Sequence, residues 1–103
     1  MNSSTRTYTD ARNVTCQVHG RLDLSLGSVL LGASRRADIQ HRNCVIDLAE
    51  VNEMYDSGLA LLSALGRRAY RLGHRVRVVN CSPGIAQRCA NTDHAGLIVT
   101  PTA

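Results

Sequence analysis

Apolar positions along this chain fall into blocks whose spacing switches between two and the helical period. Val14, Cys16 and Val18 alternate with Thr15 and Gln17, which is the pattern of a half-buried strand. Gly20 ends that alternation, and Asp23 or Ser25 stands where a helix takes its N-terminal cap. Leu26, Leu30, Ala33 and Ala37 recur at helical spacing and predict an amphipathic helix over 26–37. NCVIDL, residues 43–48, is a short apolar run closing on an acid and a leucine, as expected of a central strand.

A second helix is predicted from about Gly58. Leu61, Leu65, Ala69 and Leu72 share one side with Leu62 beside them, while Ser63, Arg67 and Arg71 lie on another. Gly73 is the expected stop. RVRVVN, residues 75–80, reads as a strand, and Ser82-Pro83 as the cap and first turn of a third, short helix. GLIVT, residues 96–100, supplies a last strand. Residues 1–12 read as a flexible polar start with room for an edge strand around 6–11, and 13–103 as a single domain. Strands alternating with helices predict an α/β sheet covered by helices, with Leu30, Val45, Leu61, Leu65, Val76 and Val78 buried.

Composition narrows the picture. A chain of 103 residues has room for one modest core. It lacks Phe and Trp, so Leu, Val, Ile and Ala must fill that core. A net charge of +4 from scattered arginines, with Tyr8, Tyr55 and Tyr70 as the aromatic residues, argues against a nucleic-acid binder, which clusters basic and stacking side chains. MNSSTRTYTDARN is polar, so no signal peptide is expected, and no apolar run reaches membrane-spanning length. A cytoplasmic protein without membrane insertion is the expectation. Cys16, Cys44, Cys81 and Cys89 form no C-x-x-C pair, and Cys16 and His19 would point to opposite faces of a strand. They read as small buried hydrophobes, with neither metal nor disulfide.

One serine stands out. In MYDSGLALL, residues 54–62, Ser57 lies between an acid and a glycine, directly before an apolar run. It is either a helix cap or a reactive hydroxyl. Catalysis is disfavoured: there is no G-x-S-x-G elbow, and nothing pairs a histidine with an orienting acid. His19 sits opposite its strand's apolar face, and His41, His74 and His94 fall in loops or at element ends. No phosphate-binding glycine loop is present, so no nucleotide or other cofactor is expected. A phosphate added to Ser57 would meet unpaired N–H groups and the positive end of the helix dipole. The fold should therefore tolerate it, while about −1.5 to −2 charges at neutral pH would repel an acidic or apolar partner. Asp23 reads as a cap or as part of the surface beside Ser57.

The segment VIDLAEVNEMYDSGLALLSALGRRAYRLGHRVRVVNCSPGIAQRCAN resembles the second half of a STAS domain, the family of bacterial anti-sigma-factor antagonists. The likeness rests on Asp47-Leu48 closing a strand and on Asp56-Ser57-Gly58-Leu59 opening a helix. Gly73, the strand Val76 to Asn80, Ser82-Pro83, and GRLDL at 20–24 extend it. It covers about 85 residues in one consistent order. Many members carry two small residues between that Asp and Gly; this chain carries one, and Ser57 is the motif's sole hydroxyl in either register. The resemblance implies a mixed sheet of four to five strands with helices packed mainly on one side. It also implies a binding module that is not an enzyme. Ser57 would be phosphorylated by an anti-sigma factor or related serine kinase and restored by a PP2C-type phosphatase, with Asp23, Tyr55, Asp56, Ser57, Gly58 and Leu59 meeting the partner. The alternative is a cytoplasmic accessory subunit docked on the ATPase of a phospholipid-transport ABC transporter.

Overall fold

Residues 3–91 and 96–101 are described by a computed structural model. The strands are β1 (Ser4–Thr9), β2 (Asn13–Leu22), β3 (Asn43–Met54), β4 (Val76–Cys81) and β5 (Leu97–Pro101). The helices are α1 (Gly27–Gln40), α2 (Asp56–Arg71) and α3 (Pro83–Ala90), and a 3-10 turn over Leu24–Leu26 leads into α1. The strands form one sheet in the order β1-β2-β3-β4-β5, with β1 antiparallel to β2 and the others parallel. Every helical crossover steps one strand further in the same direction. Since such crossovers are right-handed, all three helices fall on one face.

The core is the row of strand residues that turns toward those helices. Cys16, Ile46 and Val78 are paired neighbours and fully buried, as are Val14 and the barely exposed Val76 one step along. From above come Leu26, Leu30, Ala33 and Ala37, then Leu62, Leu65 and Ala69, and finally Ile85 and Cys89. The opposite row, Thr15–Val45–Arg77–Ile98, looks away from the helices. Val45 is therefore only half-buried, against expectation, because a shift of one position along a strand reverses the face.

Several boundaries differ from the expected ones. β2 does not stop at Gly20: it absorbs two register irregularities, at Gln17/His19 and Gly20/Arg21, and continues to Leu22. Gly20 makes this possible at φ +84°, a conformation that costs glycine little. β3 likewise runs past Leu48 to Met54, paired with β2 as far as Leu22. Its register with β4 covers only residues 44–47. Polar residues such as Glu50 and Asn52 hid this extension, because it is exposed along much of its length.

The buried face of α2 is also turned from the expected one. Ser63 and Gly66 are buried, Leu61 is half-buried, and Leu72 is 52% exposed. Small residues are needed here because the helix lies against the start of β5. A Cβ on Gly66 would sit 2.8 Å from Leu97 Cγ, and one on Gly96 would sit 1.6 Å from the Gly66 carbonyl oxygen. Polarity alone had put Ser63 on the outside.

The ends follow the sequence more closely. Gly73, at φ +79°, donates to Tyr70 O at 3.1 Å while His74 donates to Ala69 O at 2.8 Å, the paired bonds of a Schellman stop. Ser82 Oγ accepts from Ile85 N at 3.3 Å with Pro83 in the first turn. Asp10 shapes the β1–β2 turn by accepting from the amides of Arg12 and Asn13, each at 2.8 Å. His94 lies outside the described residues. Among those described, no helix is long and apolar enough to cross a membrane, and no cluster of metal-ligating side chains occurs.

Two outcomes test this packing. Leu62→Ala removes a fully buried side chain and should cost about 2–5 kcal/mol through transfer and cavity terms. Leu72→Ala should cost under ~1 kcal/mol in the same urea titration, as a partly exposed side chain loses little on truncation. The second concerns the four cysteines, all buried. Burial pushes their thiols up, that of Cys44 to about 12. Unfolded thiols titrate near about 8.5, so above that pH the native chain holds more protons than the unfolded one. Stability should be insensitive to the thiols below that point and fall as pH rises toward 12, by at most about 1.4 kcal/mol per pH unit per thiol. Urea midpoints measured between neutral and strongly alkaline pH check the sign.

Candidate functional site

The extended ends of β2 and β3 finish side by side, and this delivers two loops to one place. Leu22 and Met54 are register partners, and Tyr55 N donates to Leu22 O at 3.0 Å. From β2 the chain passes through Asp23 into the 3-10 turn; from β3 it passes through Tyr55 into α2. Asp23 caps the turn, its Oδ1 accepting from Ser25 N at 2.9 Å and from the Ser25 hydroxyl. Those two bonds hold its carboxyl below the usual carboxylate range. The capping role read for Asp23 is the observed one.

Ser57 is not the cap of α2. Tyr55 occupies that position with extended backbone and no side-chain bond, so Ser57 is the second residue of the helix. Its Oγ reaches across the loop and accepts from Leu24 N at 3.2 Å. It thus satisfies the first amide of the neighbouring 3-10 turn, and a helix hydroxyl of one element acts as a tether for another. Ser57 is half-exposed, and Asp56 before it stands fully in solvent.

Gly58 and Leu59 turn the other way. Gly58 is buried, and a Cβ there would lie 2.2 Å from the Leu22 carbonyl oxygen. Leu59 is half-buried and packs on the core. The sequence-nominated residues therefore separate into an outer group, Asp23, Tyr55, Asp56 and Ser57, and an inner pair that seats the helix against β2.

Three further residues belong to the outer group, and the sequence did not single them out. Arg88, in the last turn of α3, places Nη2 2.8 Å from Asp56 Oδ1, while its Nη1 donates to the carbonyl of Met54. It thereby joins the end of β3 to the start of α2. Arg21 lies over the Tyr55 ring at 5.9 Å. Leu24 is 65% exposed beside Tyr55 at 42%, so an apolar patch adjoins the serine. Leu24 fell outside every helical or strand repeat, and Arg88 is 31 positions from Ser57 in the chain; neither left a local signal.

No protein-family model matches the chain, and no curated protein matches it in sequence. Solved structures do. The anti-sigma factor antagonist SpoIIAA in its unphosphorylated form superposes with a TM-score of 0.72 at 16% identity, over 97% of this chain and 89% of its own. A Moorella thermoacetica RsbS carrying a serine-to-glutamate substitution gives 0.75 at 15% identity, over 96% and 87%. An antisigma-factor antagonist STAS domain from Rhodobacter sphaeroides gives 0.53 at 18% identity, over 74% and 84%. The chain has the STAS-domain fold. The likeness read in Asp47-Leu48 and Asp56-Ser57-Gly58-Leu59 thus holds for the architecture, five strands in a mixed sheet with helices on one face.

In this STAS fold the close seat of α2 on β2 is testable at Gly58. Mid-helix Gly→Ala ordinarily stabilises by about 0.8–1 kcal/mol. Here the added Cβ meets the Leu22 carbonyl, and overpacking typically costs about 1–3 kcal/mol. Gly58→Ala should therefore destabilise in denaturant unfolding, and the Leu24 and Tyr55 amide resonances should move. A stabilised variant would mean that the helix start is free to shift.

Proposed function

We propose that this chain is an anti-sigma-factor-antagonist-type binding module whose partner affinity is switched by phosphorylation of Ser57. The observation that carries the reading is the placement of the Ser57 hydroxyl. It is half-exposed at the start of a helix, beside the exposed apolar pair Leu24 and Tyr55, with its oxygen held by Leu24 N. SpoIIAA, which shares the fold, is described as an anti-sigma factor antagonist in an unphosphorylated form, and this supports the same reading.

In the unmodified state Asp23, Leu24, Tyr55, Asp56 and Ser57 offer an anti-sigma factor a patch with an apolar centre and a rim in which Asp23 and Asp56 stand beside Arg21 and Arg88. A partner kinase transfers the terminal phosphoryl group of ATP to Ser57 Oγ, releasing ADP and the hydroxyl proton. About −1.5 to −2 charges then arrive next to Asp56. The helix N-terminus stabilises the new anion within the domain, so the fold persists while a docked partner meets a desolvation and repulsion penalty. A PP2C-type phosphatase hydrolyses the ester and restores the patch. In this scheme the chain binds and releases, and catalysis belongs to its cytoplasmic partners.

Incubation with the cognate kinase and ATP, followed by mass spectrometry, should place the phosphate on Ser57. Ser57→Asp should weaken binding to the unmodified-state partner by about tenfold or more, corresponding to about 1.4 kcal/mol. Ser57→Ala should bind and resist switching. It also orphans the Leu24 amide, at a cost of about 0.5–1.5 kcal/mol, so unfolding curves of both variants accompany the assay. Phosphate on another residue, or equal affinities of wild type and Ser57→Asp, would overturn the proposal in favour of constitutive docking, as on a transporter ATPase.

A further inference from the structure

The end of the domain opposite Ser57 holds a cavity of about 280 Å³. It opens where α1 and α2 terminate and β3 and β4 begin, and its walls include Ser34, Asp38, Arg42, His74, Arg75 and Arg77. The 16 residues of α2, about 24 Å of helix, separate it from the serine.

Its charge is unbalanced. Asp38 is ion-paired: its Oδ2 lies 2.8 Å from Arg68 Nη2, without a hydrogen bond among the described residues, its Oδ1 lies 3.9 Å from His74 Nε2, and Arg68 Nη1 donates to Ser34 Oγ at 2.9 Å. Among the described residues Arg42 bonds a neutral partner, the Gln40 side-chain oxygen. Arg75 donates to the His74 carbonyl at 3.0 Å and stacks over Tyr70 at 5.1 Å. Among the described residues neither of them, nor Arg77, forms a salt bridge. Asp10 feels the charge of Arg42 but stands outside ion-pair range. The Cys44 thiol on the wall stays protonated and neutral because of its burial.

Two helix C-termini point here, each contributing about half a negative charge. Together they offset about one of the two arginines, Arg42 and Arg75, so a positive surplus remains. One donor is also stranded: Arg42 Nε is buried and has no hydrogen-bond acceptor among the described residues. A buried N–H of this kind calls for an acceptor.

We infer that this cavity binds a small polyanion, a compact molecule carrying phosphate or carboxylate groups, with Arg42 as its main donor and Arg75 as a supporting charge. The volume falls just below the ~300–1,000 Å³ typical of drug-sized ligands and suits a molecule of a few charged groups. Arginine forks match either anion with paired N–H bonds, while Ala37, Ala69 and Val76 on the inner wall leave the ligand's polar groups to the rim. The site is independent of Ser57 and would give the domain a second, ligand-dependent input.

The test is an amide-resonance titration of the folded chain with sodium pyrophosphate and, separately, sodium citrate, against sodium chloride at equal ionic strength. Expected are saturable shifts confined to residues 34–44 and 73–77, with Leu24 and Ser57 still, and a Kd below about 1 mM for at least one probe. Pyrophosphate alone would assign a phosphate ligand, citrate alone a carboxylate one, and either supports the site. Arg42→Gln and, at the rim, Arg75→Gln should each weaken binding by about tenfold. Arg36→Gln, on the exposed side of α1, should leave it unchanged. Shifts that chloride reproduces, that never saturate, or that survive both cavity substitutions would overturn the inference.

Discussion

The carbonyl group of Leu22 is the point from which the rest of this domain's outer end is set. Its oxygen accepts the Tyr55 amide at 3.0 Å, and Gly58 stands so close that any side chain would collide with it. This contact fixes where β3 stops, where α2 starts and how far the helix lies from β2. With the helix seated, Ser57 Oγ comes within 3.2 Å of Leu24 N and Asp56 within 2.8 Å of Arg88. A small displacement of α2 would undo both. The outer surface is therefore built on a backbone hydrogen bond and a missing Cβ.

The sheet gives the domain its two ends. Four parallel strands put all three helices on one face, so helix starts gather at the carboxyl ends of the strands and helix stops at the amino ends. Carboxylates Asp23 and Asp56 stand at the first end beside Arg21 and Arg88, while at the second end arginines outnumber the one carboxylate, Asp38, that lines the cavity. The helix dipole acts at both ends. At the Ser57 end it favours an added anion directly. At the cavity end the dipoles oppose an anion, and the arginines outnumber them.

The uncovered face of the sheet carries a hydrogen-bonded carboxylate. Asp47, only 9% exposed, accepts from Ala49 N at 2.9 Å, Asn80 Nδ2 at 3.2 Å and Gln17 Nε2 at 3.4 Å. A nearly buried carboxylate needs such partners to offset its lost hydration. The bonds tie β2, β3 and β4 together where β3 passes beyond β4. Asn80, at φ +59°, adopts a left-handed backbone that asparagine tolerates better than most residues.

By itself the sequence determined the elements whose signals are local. The alternation Val14–Cys16–Val18, the helical row Leu26–Leu30–Ala33–Ala37, the stop at Gly73 and the Ser82-Pro83 start all stand where their spacing put them. The residues that open α2 were legible through their likeness to the STAS pattern. Tertiary structure decided the rest. Whether Val45 faces the helices, whether Ser63 is buried and how far β2 and β3 run all depend on what lies across from them. So does the part played by Ser57: sequence offered a cap for its own helix, and the fold made it an acceptor for the Leu24 amide. Arg88 and Arg42 were invisible for the same reason. A side chain's local pattern records which way its own element faces; its partner is chosen by contacts that only the folded chain brings within reach.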